Sequence, residues 1–502
     1  MSKYLYGASV QGIQEFIFQT NKLQEIVGAS ELVEEICGHF FKDQVGAKFK
    51  EENLLVGAAG NIKYIFDSKD ECASVARKFP QAVMEKANGI TISQAVVEVG
   101  KHEDDIQELE NRLRVQRNKT ITIRDNAGLM ATETARRTGG TGFKYVKDEI
   151  LDKGQIQKLE ASKIANKRLT KDIFNTQEFA AEAFPFDIGQ IIKKETNQSW
   201  IAVIHADGNS LGKKLIKMGY MLKGTGGQKA FKSFSEKLDE ATKAATRIAF
   251  DEVVAKAVEK EELQKIPFRP VLLGGDDLTA IIRGDLALDF THVFLDAFEK
   301  ETERVFASFD SDNGITKPLF SAGLTACAGV AYIKANYPFH YGVTLAESLC
   351  QEAKKVSKKF NEAHSPSSIM LHKVHASFVE DYEAIIEKEL RAEGNVFFNY
   401  GPYFLQAHEN YDTVMDLKKR IKTINRKAAP KSGLRNWLTE LQHNSEKAAQ
   451  TLERIASLEG NKYFKQSLNL DKPFLTRTMN LNGEEIEGSF TPIFDAIALS
   501  KI

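Results

Sequence analysis

The run Arg269–Arg283, RPVLLGGDDLTAIIR, restricts the fold more than any other stretch of the chain. Two short apolar β-type segments, Val271–Leu273 and Leu278–Ile282, flank Gly274-Gly275-Asp276-Asp277. Glycine reaches backbone conformations that other residues avoid, so the run predicts strand, tight turn, strand. The turn then carries adjacent carboxylates at the edge of an apolar hairpin. Neighbouring anions repel unless protons or a cation neutralise them, and hard oxygen ligands suit Mg²⁺ or Mn²⁺. A solvated Asp-rich turn is the plain alternative.

The surroundings of the hairpin bear on that choice. Trp200–Ala206 reads as a strand ending at Asp207, and Gly208-Asn209-Ser210-Leu211-Gly212 opens a helix. A long helix over Gln228–Val258 precedes the hairpin; a helix near Leu286–Ser308, a strand over Leu319–Val330, a helix near Val343–Ala363 and a strand over Ser368–His372 follow. The same order occurs earlier. Strand Lys3–Ala8 leads into helical spacing at Ile13, Phe16 and Ile17, then a helix after a Gly28-Ala29-Ser30 break. Strands Leu54–Val56 and Ile62–Phe66, helix Glu71–Lys86, strand Ile90–Val99 and a charged helix near Glu103–Arg117 complete the copy. This duplication predicts an α+β chain with two ferredoxin-like βαββαβ units, at 1–118 and 196–375. A helical connector is expected at 119–195 and a helical C-terminal domain at 376–502.

In a βαββαβ unit the first strand lies beside the third. Asp207 should therefore meet Asp276 and Asp277, an arrangement that suits two divalent ions activating a ribose hydroxyl and holding a triphosphate. Amides at the helix start Gly208–Gly212 favour phosphate oxygens. Gly274, Gly275 and Ser321 join the nucleotide-binding candidates. Lys354, Lys355 and Lys358 share one helix turn and are candidates for neutralising β- and γ-phosphates, with a solvated helix face as the alternative. His205 alternates with Val203 on the first strand and is expected to be structural.

Composition limits the remaining classes. Hydrophobic residues make up 42% and charged residues 27%, ordinary for a globular protein, and the net charge of −1 gives no global reason for nucleic-acid or membrane binding. Cys37, Cys72, Cys327 and Cys350 show no CxxC spacing, which argues against a zinc ribbon or disulfide framework. No apolar run approaches membrane-spanning length, so a cytoplasmic location is expected. The runs Gly139–Gly142 and Gly224–Gly227 are not closed by GK[ST] and are not P-loops.

Three segments, HADGNSLGKKL, LLGGDDLTAII and FSAGLTACAGVAYIKANYPFHYGVTLAESLCQEAKK, resemble the cyclase-type palm of the large subunit of type III CRISPR effector complexes. VQGIQEFIFQTNKLQEIVGAS is similar to that family's first, degenerate palm. The resemblance covers roughly residues 1–375. It implies synthesis of cyclic oligoadenylate or a related cyclic nucleotide from ATP with two Mg²⁺ or Mn²⁺ ions, in antiviral defence, for a downstream sensing effector. It also implies a seat for a second nucleotide on the first palm, where Ser30 is the candidate. The departures are the expected lack of a His-Asp nuclease domain and of zinc-ribbon cysteines, and Ser9 and GAAGN in the first palm in place of Asp207 and GGDD. A competing reading makes the chain a scaffold that binds RNA or effector subunits through Lys418, Lys419, Arg420, Lys422, Arg426 and Lys427, for which a solvated basic helix is the plain alternative. A mono- or dinucleotide cyclase using another nucleoside triphosphate would use the same metals.

Overall fold

The computed structural model describes residues 2–58, 60–102, 104–119, 132–168, 181–192, 199–222, 225–375, 382–500 and 502. Much of the connector (120–131, 169–180 and 193–198), together with Ala59, Gly224 and part of the lysine-rich stretch ending at Lys171, lies outside the described residues.

The first region contains β1 (Tyr4–Gln11), α1 (Leu23–Glu35), β2 (Leu54–Ala58), β3 (Asn61–Phe66), α2 (Lys69–Lys86), β4 (Thr91–Glu98) and α3 (Asp105–Arg117). Its strands form an antiparallel sheet in the order β2-β3-β1-β4. Alternation along β1 divides its side chains between two cores. Tyr6, Ala8 and Val10 enter the large core of the molecule, whereas Leu5 packs with Leu55, Ile65 and Val97 against Leu109 and Leu113 of α3.

The second region repeats the order. It contains β7 (Trp200–Gly208), α5 (Leu211–Met221), α6 (Thr225–Ala249), β8 (Phe268–Gly274), β9 (Asp277–Arg283), α7 (Gly284–Phe306), β10 (Ala326–Lys334), α8 (Phe339–Phe360) and β11 (Ser368–Lys373). Within a six-stranded sheet the strands run β8-β9-β7-β10, followed by β11 and by β14 (Tyr403–Phe404). The first four positions thus match the first sheet strand for strand. β10 and β11 are buried along almost their whole length, as expected of strands covered on both faces.

Four expectations need correction. Helix α1 runs unbroken through Gly28-Ala29-Ser30. Gly28 serves close packing: a Cβ there would lie 1.6 Å from the carbonyl oxygen of Lys158, in α4 (Lys153–Arg168). The fourth strand of the second sheet starts at Ala326, after a loop. Asp310 holds that loop, its carboxylate accepting the backbone N–H groups of Leu319, Phe320 and Ser321, so those amides do not enter a ladder. The connector adds a hairpin, β5 (Gly142–Val146) and β6 (Glu149–Asp152), ahead of α4. Its turn residues Lys147 and Asp148 both have positive φ without the usual Asn-Gly signal.

The C-terminal region is mixed rather than helical. Helices α9 (Val414–Asn425), α10 (Lys431–Leu441), α11 (Ser445–Ser457) and α12 (Ile493–Leu499) accompany a sheet in the order β12-β13-β16-β15. Its strands are β12 (Arg391–Ala392), β13 (Val396–Phe397), β15 (Leu475–Leu481) and β16 (Glu484–Phe490). The last two form a hairpin around Asn482-Gly483, both at positive φ. That dipeptide is a strong hairpin signal, masked here by the polar alternation beside it.

Candidate metal and nucleotide site

Backbone pairing brings the three aspartates together. Ala206 of β7 faces Leu278 of β9, so Asp207 and Asp277 are the next pair along. Gly274 pairs with Asp277 across a two-residue turn, in which Gly275 has φ of 61° and Asp276 occupies the second central position. Gly208 leaves room for the Asp276 carboxylate: a Cβ there would meet Asp276 Oδ2 at 2.9 Å. One carboxylate oxygen from each of Asp207, Asp276 and Asp277 lies within 4.8 Å of the others.

Their protonation differs according to their neighbours. Burial opposes ionisation of Asp207, but Lys354 of α8 forms an ion pair with it and holds its carboxyl below the usual range. Lys354 Nζ also donates to the Gly208 carbonyl oxygen at 2.7 Å. Burial and the Asp207 charge push Asp276 up to about 7. Asp277 is pushed well above its ordinary value, first by desolvation and then by the Asp276 and Asp207 charges. Asp277 itself reaches solvent at the turn, so packed atoms and like charges on one side raise it rather than full enclosure. Three carboxylates with one lysine form a site short of positive charge.

The other candidates divide into those at this edge and those elsewhere. Asn209 is buried; its amide donates to the Thr325 carbonyl at 2.8 Å, and its side chain donates to Thr325 and Ser365. Ser210 caps α5 at φ of 59°, and its hydroxyl donates to the Glu362 carbonyl at 3.0 Å. Leu211 is buried at the start of α5. Gly212 lines a separate cavity between α5 and α3. Ser321 sits in the Asp310-bound loop rather than at the start of a strand. Lys358 is exposed one turn beyond Lys354, and Lys355 pairs with Glu352. His205 Nδ1 shares a hydrogen bond with the Thr279 hydroxyl at 3.0 Å, and burial lowers its pKa.

Asp277 and Gly274 also border a cleft of about 490 Å³ between the two sheet regions. Ser30 lines it from α1, and its hydroxyl donates to the Val271 carbonyl oxygen of β8, joining the two regions. Glu34, Arg168 and Arg269 line the same cleft, with the Glu34 carboxyl raised by burial. These three were not singled out from sequence. They come from α1, α4 and β8, and no local pattern marks their convergence.

The basic helix α9 is partly neutralised. Lys418 pairs with Asp289 at 2.7 Å and Arg420 with Asp412 at 2.6 Å, while Lys419, Lys422, Arg426 and Lys427 are exposed. Among the described residues no helix is long and apolar enough to cross a membrane.

Two sheets of one strand order, with an acidic strand edge on the second beside a cleft between them, define an α+β protein of two related regions with a carboxylate site. Residues 200–362 match the family model for Cas10/Cmr2, second palm domain, and in that region the chain is similar to Cas10. Solved structures of similar fold include the Csm1-Csm4 cassette in complex with cA4 (TM-score 0.52, 11% identity) and with AMPPNP (TM-score 0.53, 11% identity). A third is the Csm1-Csm4 subcomplex of the type III-A CRISPR-Csm interference complex (TM-score 0.52, 11% identity). Each match covers 99% of this chain and 70% of the other. No curated protein matches the sequence.

Proposed function

We propose that this chain is a metal-dependent nucleotidyltransferase that converts ATP to cyclic oligoadenylate or a related cyclic nucleotide messenger in CRISPR-type antiviral defence. The carrying observation is the Asp207, Asp276 and Asp277 cluster, whose Asp277 borders the cleft that the first region completes. In this reading both regions are ferredoxin-like palms and only the second is catalytic.

The residues fit Mg²⁺ or Mn²⁺. They offer hard oxygen donors from three carboxylates, two of which have their pKa values raised by burial and by the neighbouring negative charges, which a cation would relieve. Asp207, Asp276 and Asp277 would hold two ions, which when bound supply Lewis-acid stabilisation and a more acidic ribose hydroxyl. Lys354 keeps Asp207 ionised and, with Lys358 one turn on, offers positive charge to phosphates. The first amides of α5 and the bare backbone at Gly208, Gly274 and Gly275 allow close approach of phosphate oxygens. Ser30, Glu34 and Arg168 receive the second nucleotide across the cleft. Capture of relatives with AMPPNP and cA4 supports adenine nucleotides as substrate and product class. Effector subunits or RNA dock on the exposed part of α9, and a cyclic-nucleotide-sensing effector reads the product.

The test is incubation of the purified protein with each nucleoside triphosphate and Mg²⁺ or Mn²⁺, with and without RNA, and identification of products by mass spectrometry. Linear and cyclic oligoadenylates from ATP, absent with Asp276→Asn, are expected. No product from any nucleotide under either condition would overturn the proposal.

A further inference from the structure

The basic helix α9 presents one face to solvent. Met415, Lys419, Lys422 and Arg426 recur at intervals of three and four residues and so share one stripe. All four are exposed, while Val414, Leu417 and Ile424 are buried. The nearby acids are already engaged: Asp289 by Lys418, Asp412 by Arg420, and Asp416 by the Thr413 amide and hydroxyl at the helix start. Lys419, Lys422, Arg426, Lys427 and the exposed Lys462 form no ion pair among the described residues. Like charges left together repel, and a polyanion is the ligand that neutralises a row of them.

A solvated basic face accounts for the charges but not for what lies among them. Tyr463, in the short helix Lys462–Ser467 packed against α9, is 44% exposed, and Met415 at the head of the stripe is 58% exposed. The Arg426 guanidinium sits over the Tyr463 ring, 4.2 Å from its centroid. Hydrogen bonds from Ser467 and Thr423 hold the phenol oxygen, and with the Arg426 and Lys419 charges they lower its pKa. Cations around an exposed, fixed ring match the two parts of a single-stranded nucleotide chain. Phosphates pair with the lysines, and an unstacked base lies against an aromatic ring or a guanidinium plane. An acidic peptide would engage the cations and leave the ring unused, and bases inside a duplex are not free to stack on it.

We propose that Lys419, Lys422, Arg426, Lys427 and Tyr463 form a binding surface for single-stranded RNA, with Tyr463 and Arg426 as its stacking platform. From Lys419 to Arg426 the stripe is about 10 Å long at ~1.5 Å per helical residue. It therefore takes a short stretch of backbone, and stacking on any base makes it tolerant of sequence. This names one partner for the docking surface in the reading above and rests on that reading only for the choice of RNA. Neither the acidic cluster nor any nucleotide product is needed for it.

Fluorescence anisotropy of the full chain with a labelled oligouridylate over a series of KCl concentrations tests the surface, with each variant checked as folded by circular dichroism. Affinity should fall as salt rises, and Lys419→Ala and Lys422→Ala should each reduce the slope of log K against log[salt] by roughly 0.7. Tyr463→Ala should weaken binding about tenfold at unchanged slope, whereas Tyr463→Phe, which keeps the ring, should bind as the wild type. Asp276→Asn should also bind as the wild type, even if no nucleotide gives a product, so this inference and the reading above fail separately. The same RNA annealed to its complement should bind more weakly. No binding of the single strand at low salt would overturn the proposal, as would wild-type affinity in Tyr463→Ala or in the double variant Lys419→Glu with Lys422→Glu. Tighter binding of polyglutamate, lost in the lysine variants but kept in Tyr463→Ala, would assign the surface to an acidic protein and overturn it. Tighter binding of the deoxyribose counterpart of the oligonucleotide would equally overturn the assignment to RNA.

Discussion

The two sheets share a strand order but carry different residues at the same edge. In the second, Asp207 and Asp277 follow the Ala206–Leu278 pair, with Asp276 at the turn. In the first, the corresponding pair is Ser9 and Asn61, with Gly60 before Asn61. No carboxylate stands at any of the three positions, and Arg117 donates to the Ser9 hydroxyl at 3.2 Å, placing a cation beside the serine. One backbone plan therefore supports an anionic edge in one copy and a neutral one beside an arginine in the other. The difference shows that the fold supplies the juxtaposition while three side chains set the chemistry.

Several substitutions would break or sharpen this contrast. The largest effect is expected from Asp276→Asn or Asp207→Asn. Loss of a metal ligand removes several kcal/mol of transition-state stabilisation, so nucleotide product formation should fall on the order of 10³-fold in initial-rate assays. Lys354→Met should cost less, about 10- to 100-fold, since it removes a charge-assisted partner of Asp207 rather than a metal ligand. The acidic limb of its pH–rate profile should move upward, because Asp207 loses the cation that lowers its pKa.

A third prediction concerns stability without metal. The folded Asp276 carboxyl keeps its proton up to about pH 7. The unfolded chain releases it near ~4, so the folded state binds more protons between these values. This contribution is fully present below ~4 and is lost as pH rises through the folded pKa. Metal-free protein should therefore unfold more easily at pH 8 than at pH 5, by a few kcal/mol at most. Mg²⁺ should offset the loss, and Asp276→Asn should flatten the dependence, as read by denaturant titration. Asn61→Ala, at the matching position of the first sheet, should leave divalent-ion affinity unchanged in isothermal titration. The smallest effect on chemistry is expected from charge reversal at Lys419 and Lys422 of α9 and at Lys427 just beyond it. The basal rate per molecule should hold, while pull-down of effector subunits or RNA should weaken.

Much of the first and second regions is legible in the sequence, because period-two and helical apolar spacing marks their elements and the glycine turn fixes the hairpin. The proximity of Asp207 to the Asp276 turn follows from strand order alone. What escapes is whatever depends on distant partners. Gly28 looks like a helix break until Lys158 is seen against it. Ser321 looks like the start of a strand until Asp310 takes its amide. Glu34 and Arg168 acquire a shared cleft only through packing of segments more than a hundred residues apart. In the C-terminal region the Asn482-Gly483 turn was readable, but charged residues along its strands, with little buried alternation, obscured the hairpin.

The central claim is that the acidic edge of the second sheet, and not its neutral counterpart in the first, binds the ions. Titration of the purified protein with Mn²⁺, followed by electron paramagnetic resonance, tests it directly. The wild type and Asn61→Ala should bind Mn²⁺ alike, whereas Asp276→Asn and Asp207→Asn should lose at least tenfold in affinity while remaining folded by circular dichroism. Equal Mn²⁺ affinity in all four proteins would contradict the account.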